Sequence, residues 1–129
     1  MNDFARRSLI VAALLGGAAV VLGAFGAHAL RNALDANALA TWHTAVDYQF
    51  WHALALLATA LLAREGDTRA LRVAAWMFAI GSVLFCGSLY ALALGAPRLV
   101  GVVTPIGGVG FIAGWIAIAV HAWRAPAAR

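Results

Sequence analysis

Seven polar side chains in an otherwise apolar chain are of the types that bind ligands or protons. They are His28, Tyr48, Gln49, His52, Ser88, Tyr90 and Thr104, and we call them the candidate cluster. Imidazole nitrogens carry protons or bind metals, and hydroxyl and amide groups donate and accept hydrogen bonds. Tyr48 and His52 are spaced four residues apart, so a helix would place them on one face, with Gln49 beside them.

The composition indicates that membrane helices hold these residues. Of 129 residues, 64% are hydrophobic and 11% are charged, and the mean hydropathy is +0.89. A soluble domain is about 45–50% apolar and about 25% charged. The chain has too little polar surface for a water-soluble globule, and we predict an integral membrane protein.

Four apolar stretches are long enough to cross a hydrocarbon core, which takes about 20 residues. We predict spans at about residues 8–30, 47–63, 71–94 and 104–123, all within one domain of residues 1–129. Thr104 followed by Pro105 is a favourable helix start, with Thr104 as the N-cap. The predicted fold class is all-α, a four-helix transmembrane bundle.

Segment 31–47, between the first two spans, also has a helical pattern. Its apolar residues recur at helical spacing, and it contains neither glycine nor proline. We expect a short interfacial helix there, or a first turn or two that continues into the second span. Tryptophans favour the headgroup region, so Trp42 and Trp51 are predicted to anchor one side of the bundle, and Trp76 and Trp123 the other.

The arginines predict the orientation of the spans. All nine basic residues are arginines, and the net charge is +4. Seven of them, Arg129 included, lie near the termini or around the link between spans two and three, and only Arg31 and Arg98 lie in the other two links. Basic residues are enriched in cytoplasmic loops. We therefore expect a multi-pass protein of the bacterial cytoplasmic (inner) membrane with both termini in the cytoplasm.

The first span has a second interpretation, as a leader peptide cleaved at Ala27-His28-Ala29. The apolar core of such a leader has about 7–15 residues, whereas the stretch from Ser8 to Leu30 has 23. We expect the span to be retained.

Small residues recur every four positions in three spans and predict close helix packing. The stripes are Ala19-Gly23-Ala27, Gly87-Ala91-Gly95 and Gly110-Gly114. The expected partners are the lipid bilayer and either a second copy of this chain or another membrane protein. Nucleic acid is not expected, because the arginines are scattered rather than gathered in a basic patch.

This topology places the candidate cluster at the outer leaflet. His52, Tyr48 and Gln49 are expected to face inward, toward His28 and Tyr90. The neighbouring His43 and Asp47 are expected to form a local pair at the water interface.

Four interpretations of the cluster stay open: a structural hydrogen-bond network, a small-molecule or ion site, ligation of a metal or haem by His28 and His52, and catalysis. The sequence carries no H-E-x-x-H or G-x-S-x-G motif and no legible nucleophile–base–acid set. We therefore expect no enzyme, no cofactor and no metal, and we expect Cys86 to be a small buried residue.

Four blocks in order resemble one family of small bacterial membrane proteins: GAFGAHAL (23–30), YQFWHALALL (48–57), LFCGSLYALAL (84–94) and TPIGGVGFIAGW (104–115). The family is catalogued as domain of unknown function number 423 and uncharacterised protein family 0382, and a small animal transmembrane protein is related to it. The resemblance covers about residues 5–120. Its pattern is matched at Gly26, His28, Tyr48, Gln49, His52, 87–90, Thr104, Pro105, Gly107 and Gly108.

The resemblance implies a four-span fold and draws attention to the candidate cluster, but it implies no established activity. Our prediction is a non-enzymatic membrane protein, either an accessory subunit or a small-ligand binder. The alternative is a transport or redox component in which His28 and His52 bind a proton, an ion or haem.

Overall fold

A computed structural model describes residues 1–125, which contain four long helices and no strand. The helices are α1 (Asp3–His28), α2 (Ala36–Glu65), α3 (Arg69–Ala93) and α4 (Arg98–Arg124). Each is long and apolar enough to cross a membrane. The predicted all-α, four-helix fold is confirmed. Arg129, used above in the orientation argument, lies outside the described residues.

Short polar side chains start the first three helices. Asn2 Oδ1 accepts a hydrogen bond from the Ala5 amide at 2.8 Å, and Asp35 Oδ1 accepts one from the Ala38 amide at 2.8 Å. Thr68 caps α3 in the same way. Because the first amides of a helix have no partner within it, these caps determine where each helix begins.

The fourth helix begins earlier than the Thr104-Pro105 pair predicted. After Pro97 the chain forms a 3₁₀ turn over Arg98–Val102, and the α-helix follows directly from Val103. No side chain caps it. Thr104 is therefore not the N-cap, because the turn after Pro97 has already supplied the start of the helix.

The segment before the second span is part of α2 rather than a separate interfacial helix. From the Asp35 cap, the helix runs unbroken for 30 residues to Glu65. This is the second of the two expected alternatives. With no glycine or proline to interrupt it, the backbone has no reason to break near residue 47.

The third helix contains a π-helical segment, Ser82–Cys86, between two α-helical parts. Nothing in the apolar pattern of residues 71–94 predicted it. A π segment widens the helix by one residue and changes which side chains face a neighbour. The segment lies against α4, where Gly107 approaches the backbone of Phe85.

The helices pack in chain order, so α1 packs along α2, α2 along α3, and α3 along α4. The start of α1, the end of α4 and the link 66–68 lie at one end of the bundle, which we call the terminal end. The links 29–35 and 94–97 lie at the other, which we call the distal end. α1 makes few contacts with α3.

Glycines bring α1 close to α2. A methyl group built on Gly26 would lie 2.6 Å from the Trp42 ring, and one on Gly23 would lie 3.2 Å from Val46. Ala19 is fully buried, but Ala27 is exposed. The first predicted stripe therefore packs at Ala19 and Gly23 but not at Ala27.

The predicted stripe in the fourth span faces α3, whereas the two glycines of the predicted stripe in the third span, Gly87 and Gly95, have no neighbour within 4 Å. A methyl group on Gly114 would lie 2.6 Å from Phe78, and one on Gly110 would lie 3.5 Å from the Gly81 Cα. Gly87 faces open space. Gly95 has φ +95° and ends α3, because its left-handed backbone lets the last carbonyls bond to the following amides.

Candidate functional site

Gln49 is the centre of a hydrogen-bond network that joins three helices. Its Nε2 donates to the Leu15 carbonyl of α1 at 2.9 Å, and its Oε1 accepts from the Tyr90 hydroxyl of α3 at 2.8 Å. Gln49 is only 5% exposed. Both ends of its amide are bonded within the protein, so Gln49 connects α1, α2 and α3.

His52 is also buried and also bonded at both ring nitrogens. Nδ1 lies 2.8 Å from the Tyr48 carbonyl, and Nε2 lies 3.3 Å from Nε1 of Trp115. A carbonyl can only accept and an indole N–H can only donate. The imidazole therefore carries its proton on Nδ1 and accepts at Nε2, which leaves no free lone pair for a metal.

Aromatic rings enclose the His52 imidazole. It stacks on Phe111 of α4 at 3.5 Å between ring centroids with 9° between the planes, and Phe78 lies 5.8 Å away. Tyr48, one turn earlier, stacks on Phe85 at 4.6 Å. Tyr48 thus faces inward, as predicted, through its ring.

Ser88 and Thr104 form a separate pair between α3 and α4. The Ser88 hydroxyl donates to the Phe85 carbonyl at 2.9 Å, and the two hydroxyl oxygens are 2.6 Å apart. Ser88 has already given its one proton to the carbonyl, so Thr104 is the donor to Ser88. The pair ties the start of α4 to the second half of α3.

His28 lies apart from the rest of the candidate cluster. It is the last residue of α1 and is exposed. The neighbour pairs Gly26–Trp42 and Gly16–Ala53 place His52 level with about Gly17, eleven residues from His28 in sequence. At a rise of about 1.5 Å per residue, the two histidines are separated by roughly 17 Å along the bundle.

The buried network lies near the middle of the bundle rather than at one leaflet. Gln49 and His52 are close to the midpoint of the 30-residue α2. The expectation of one level for the whole cluster was wrong for Gln49 and His52, whereas the cluster residues His28, Ser88, Tyr90 and Thr104 do lie near the distal ends of their helices. The reason is that residues 36–47 form the first turns of α2 rather than a link outside the span, so Gln49 and His52 lie deeper.

His43 and Asp47 are exposed on α2, as expected, but neither a hydrogen bond nor an ion pair joins them within residues 1–125. Cys86 is 1% exposed and packs in the core with Phe111. The Cys86 thiol is enclosed by apolar neighbours.

Two tryptophans belong to the site but were not predicted to. Trp42 is 3% exposed, donates to the Leu22 carbonyl at 2.9 Å and packs on Tyr90. Its predicted role as a headgroup anchor was wrong. Trp115 donates to His52. For Trp115 the available signal was depth, since an indole N–H in the middle of a predicted span needs a partner inside the protein.

In the described part of the chain, the polar atoms of the network form hydrogen bonds with one another or with the backbone. The buried amide of Gln49 and both nitrogens of His52 are bonded to protein atoms. Among residues 1–125, no group of three or more His, Cys, Asp or Glu side chains could hold a metal ion. The arrangement can hold helices in register. Each side-chain nitrogen and oxygen of Gln49 and His52 already has one protein partner, and a bound molecule would meet these two side chains inside the packed bundle.

Comparison with known proteins gives the family. The model of DUF423, described as a protein of unknown function, matches residues 22–108. A UPF0382 membrane protein of Staphylococcus saprophyticus is 42% identical over 118 residues, which cover 90% of this chain and 96% of that one. YwdK of Bacillus subtilis, also a UPF0382 membrane protein, is 43% identical over 88% of this chain and 94% of its own length.

A third relative, the UPF0382 inner membrane protein YgdD of Escherichia coli K12, is 42% identical over 125 residues, covering 92% of this chain and 91% of YgdD. No solved structure matches the chain. A family match over more than half of the chain and relatives at this identity over nearly their whole length lead to one conclusion: the chain is a multi-pass membrane protein that belongs to the DUF423 family.

Proposed function

We propose that this protein is a non-enzymatic accessory component of the bacterial cytoplasmic membrane, which acts through contacts on its surface rather than through chemistry at a buried centre. The observation that carries the proposal is the hydrogen-bond network around Gln49 and His52. Polar groups inside a membrane are costly unless they are partnered. Here their partners are protein atoms, which is what a structural role requires.

The geometry favours this role over ligand binding at the candidate cluster. A ligand at Nε2 of His52 would have to displace the Trp115 indole, and a ligand that donates to Oε1 of Gln49 would have to compete with the Tyr90 hydroxyl. Interhelical hydrogen bonds in membranes average about 0.6 kcal/mol, with a maximum of about 1.7 kcal/mol. Their number and position suit them to setting helix register.

The alternative, a transport or redox component using His28 and His52, has weaker support. The two side chains are roughly 17 Å apart along the bundle by the rise per residue, and a metal ion needs its ligands within about 2 Å. One ion or haem iron cannot touch both. The alternative would require two separate binding sites, one at His28 and one at His52.

The paired variants His52→Gln and His28→Gln test the structural role. His52→Gln is expected to lower the free energy of unfolding by about 0.6–1.7 kcal/mol, the range for interhelical bonds, whereas His28→Gln should leave it unchanged. Thermal unfolding in detergent measures the stability, and native mass spectrometry of the same samples measures bound species. A reproducible non-lipid adduct on the unmodified protein, lost in His52→Gln, would contradict the proposal.

The accessory role is tested by the size of the assembly at native expression level. Gently solubilised membranes, separated by native electrophoresis, should contain the chain in a discrete species larger than its 13.4 kDa monomer. Mass spectrometry of that band identifies either a second copy or a different membrane protein. A monomer under several mild detergents would argue against an accessory subunit.

We also propose that both termini lie in the cytoplasm. Among residues 1–125, six arginines and three carboxylates lie at the terminal end, whereas two arginines and one carboxylate, Asp35, lie near the distal end. The fifth carboxylate, Asp47, lies in the body of α2. The excess of arginine supports a cytoplasmic terminal end, and the printed name of YgdD supports the inner membrane.

Single cysteines in exposed links test this orientation. Ala33→Cys at the distal end should react with a membrane-impermeant maleimide on intact cells, and Gly66→Cys at the terminal end only after lysis. The unmodified protein is the control, because its Cys86 is buried. The reverse labelling pattern would overturn the orientation.

A further inference from the structure

A cleft of about 680 Å³ opens between α1 and α3 at the terminal end of the bundle. It exists because α1 packs along α2 and makes few contacts with α3, and Leu56 of α2 lies in its lining. Its volume is within the range of about 300–1,000 Å³ that is typical of ligand pockets. The buried network described above has no residue in this lining.

The lining of the cleft changes from polar to apolar with depth. Asp3, Arg7, Ser8 and Arg72 lie at the outer part, nearest the ends of α1 and α3. The remaining lining residues are apolar or aromatic: Phe4, Ile10, Val11, Leu56, Ala75, Trp76 and Ala79. From residue 3 to residue 11 the cleft descends roughly 12 Å at the helical rise per residue. A phospholipid shows the same change along its length, from a polar headgroup to apolar acyl chains.

The charge at the mouth of the cleft is positive. Asp3 is paired with Arg6 at 3.1 Å, and Arg72 is hydrogen-bonded to Asp67. Arg7 lines the cleft and has no ion-pair partner within residues 1–125. The guanidinium of Arg7 is therefore available to bind an anion in the cleft.

Ser8 supplies a second polar contact beside Arg7. Its side chain lines the cleft and the residue is only 7% exposed. No hydrogen bond to its hydroxyl is found in the described part of the chain. The hydroxyl opens into the cleft, where it can donate a hydrogen bond to a phosphate oxygen.

We propose that the α1–α3 cleft binds one anionic phospholipid of the surrounding leaflet. The phosphate lies at Arg7 and Ser8, and an acyl chain lies against Val11, Trp76 and Ala79. Basic pockets between transmembrane helices recognise anionic headgroups through such contacts. The site is independent of the buried network and of the orientation proposed above.

Native mass spectrometry of the purified full-length protein tests the site, with phosphatidylglycerol and phosphatidylcholine of identical acyl chains as probes. Phosphatidylglycerol should bind at least fivefold more tightly. Arg7→Gln should weaken that binding about fivefold, as expected for the loss of one basic contact near an anionic headgroup, and should leave phosphatidylcholine unaffected. Arg7→Lys should restore most of the difference.

Two further variants separate the cleft from general attraction between charges. Arg31→Gln removes an exposed arginine at the distal end and should change nothing. Ala79→Phe should fill the apolar part and reduce the binding of phosphatidylglycerol while Arg7 is retained.

Three results would overturn the proposal. The first is equal binding of the two lipids, and the second is equal weakening by Arg7→Gln and Arg31→Gln. The third is a photo-crosslinker at Val11 that captures protein rather than lipid, which would make the cleft a protein-docking surface.

Discussion

At the scale of single residues, the role of a polar side chain depends on the atoms that surround it and not on its residue type alone. His52 and His28 are both histidines within predicted membrane spans. His52 is enclosed between Phe111 and Trp115 with both nitrogens bonded, whereas His28 is exposed at the end of α1. Of the two, only His52 can hold helices together.

Gly26 shows how a missing side chain can be essential to a core. A methyl group at this position would lie 2.6 Å from the Trp42 ring. That ring is held by the bond to the Leu22 carbonyl and by Tyr90. Gly26→Ala is expected to lower the free energy of unfolding by about 1–3 kcal/mol, the usual cost of overpacking.

Thermal unfolding in detergent measures this effect against Gly17→Ala as a matched control. Gly17 has open space around it, so alanine there should be neutral or stabilising by at most about 1 kcal/mol. Equal destabilisation by the two variants would show that Trp42 does not pack on Gly26.

Ser82 carries a buried hydroxyl with no hydrogen-bond partner in the described part of the chain. An unbonded buried hydroxyl costs about 1–3 kcal/mol. Ser82→Ala is therefore expected to raise the free energy of unfolding by about 1 kcal/mol. Ser88→Ala is the comparison, because it removes the bond to Thr104 and should destabilise. If both variants destabilise, Ser82 has a partner that its surroundings do not reveal.

At the scale of elements, the π segment Ser82–Cys86 and the glycines of α4 fit each other. Gly107 approaches the segment so closely that a methyl group would lie 2.4 Å from the Phe85 amide nitrogen. Gly81, just before the segment, faces Phe111 and the Gly107 carbonyl. Small residues let transmembrane backbones approach in this way, so the irregular helix and its glycine partner form one packing unit.

Gly107→Ala tests this unit. The clash is with backbone atoms, which cannot rotate away, so we expect a loss of at least about 3 kcal/mol or a strongly reduced yield of folded protein. Gly108→Ala is the matched control in the adjacent position, where a methyl group would meet Phe85 at an ordinary 3.7 Å. The same melting temperature and yield for both variants would contradict the fit.

At the scale of the whole molecule, α1 depends on α2 for most of its packing. Their register follows from the neighbour pairs Gly26–Trp42, Gly23–Val46 and Gly16–Ala53. This register places the buried network near the middle of the bundle. A shift of α1 by one turn would separate Gly26 from Trp42 and Leu15 from Gln49 together. The depth of the network and the packing of α1 on α2 therefore depend on the same helix register.

A designed disulfide tests this register. An ideal Cβ at Gly16 lies 3.8 Å from the Ala53 Cβ, which matches the mean separation of about 3.8 Å in disulfides. The double variant Gly16→Cys/Ala53→Cys should therefore form an intramolecular disulfide under mild oxidation, seen as a change in gel mobility that reduction reverses. Gly17→Cys/Ala53→Cys should not, because nothing lies within 4 Å of Gly17. Cross-linking of only the second pair would show a different rotation of α1.

The sequence by itself determined the class of protein, the number of helices and most of their extents. Hydropathy is a local property, and so are caps such as Asp35 and the lack of glycine and proline after it. These act on the backbone within a turn or two. That Gln49 and Tyr90 lie on inward faces was also within reach, because unpartnered polar groups avoid lipid.

Only the tertiary structure decided which apolar faces meet. Lipid tails and helix interiors are equally apolar, so hydropathy does not distinguish a packed face from a lipid-facing one. For this reason Gly87 was expected to pack and is open, while Gly107 was not singled out for packing and is essential to it. Trp42 is in the core instead of at the headgroups because its ring fills the gap left by Gly26 on the neighbouring helix α1. The hydropathy of α2 alone does not reveal a contact of this kind, which depends on both helices.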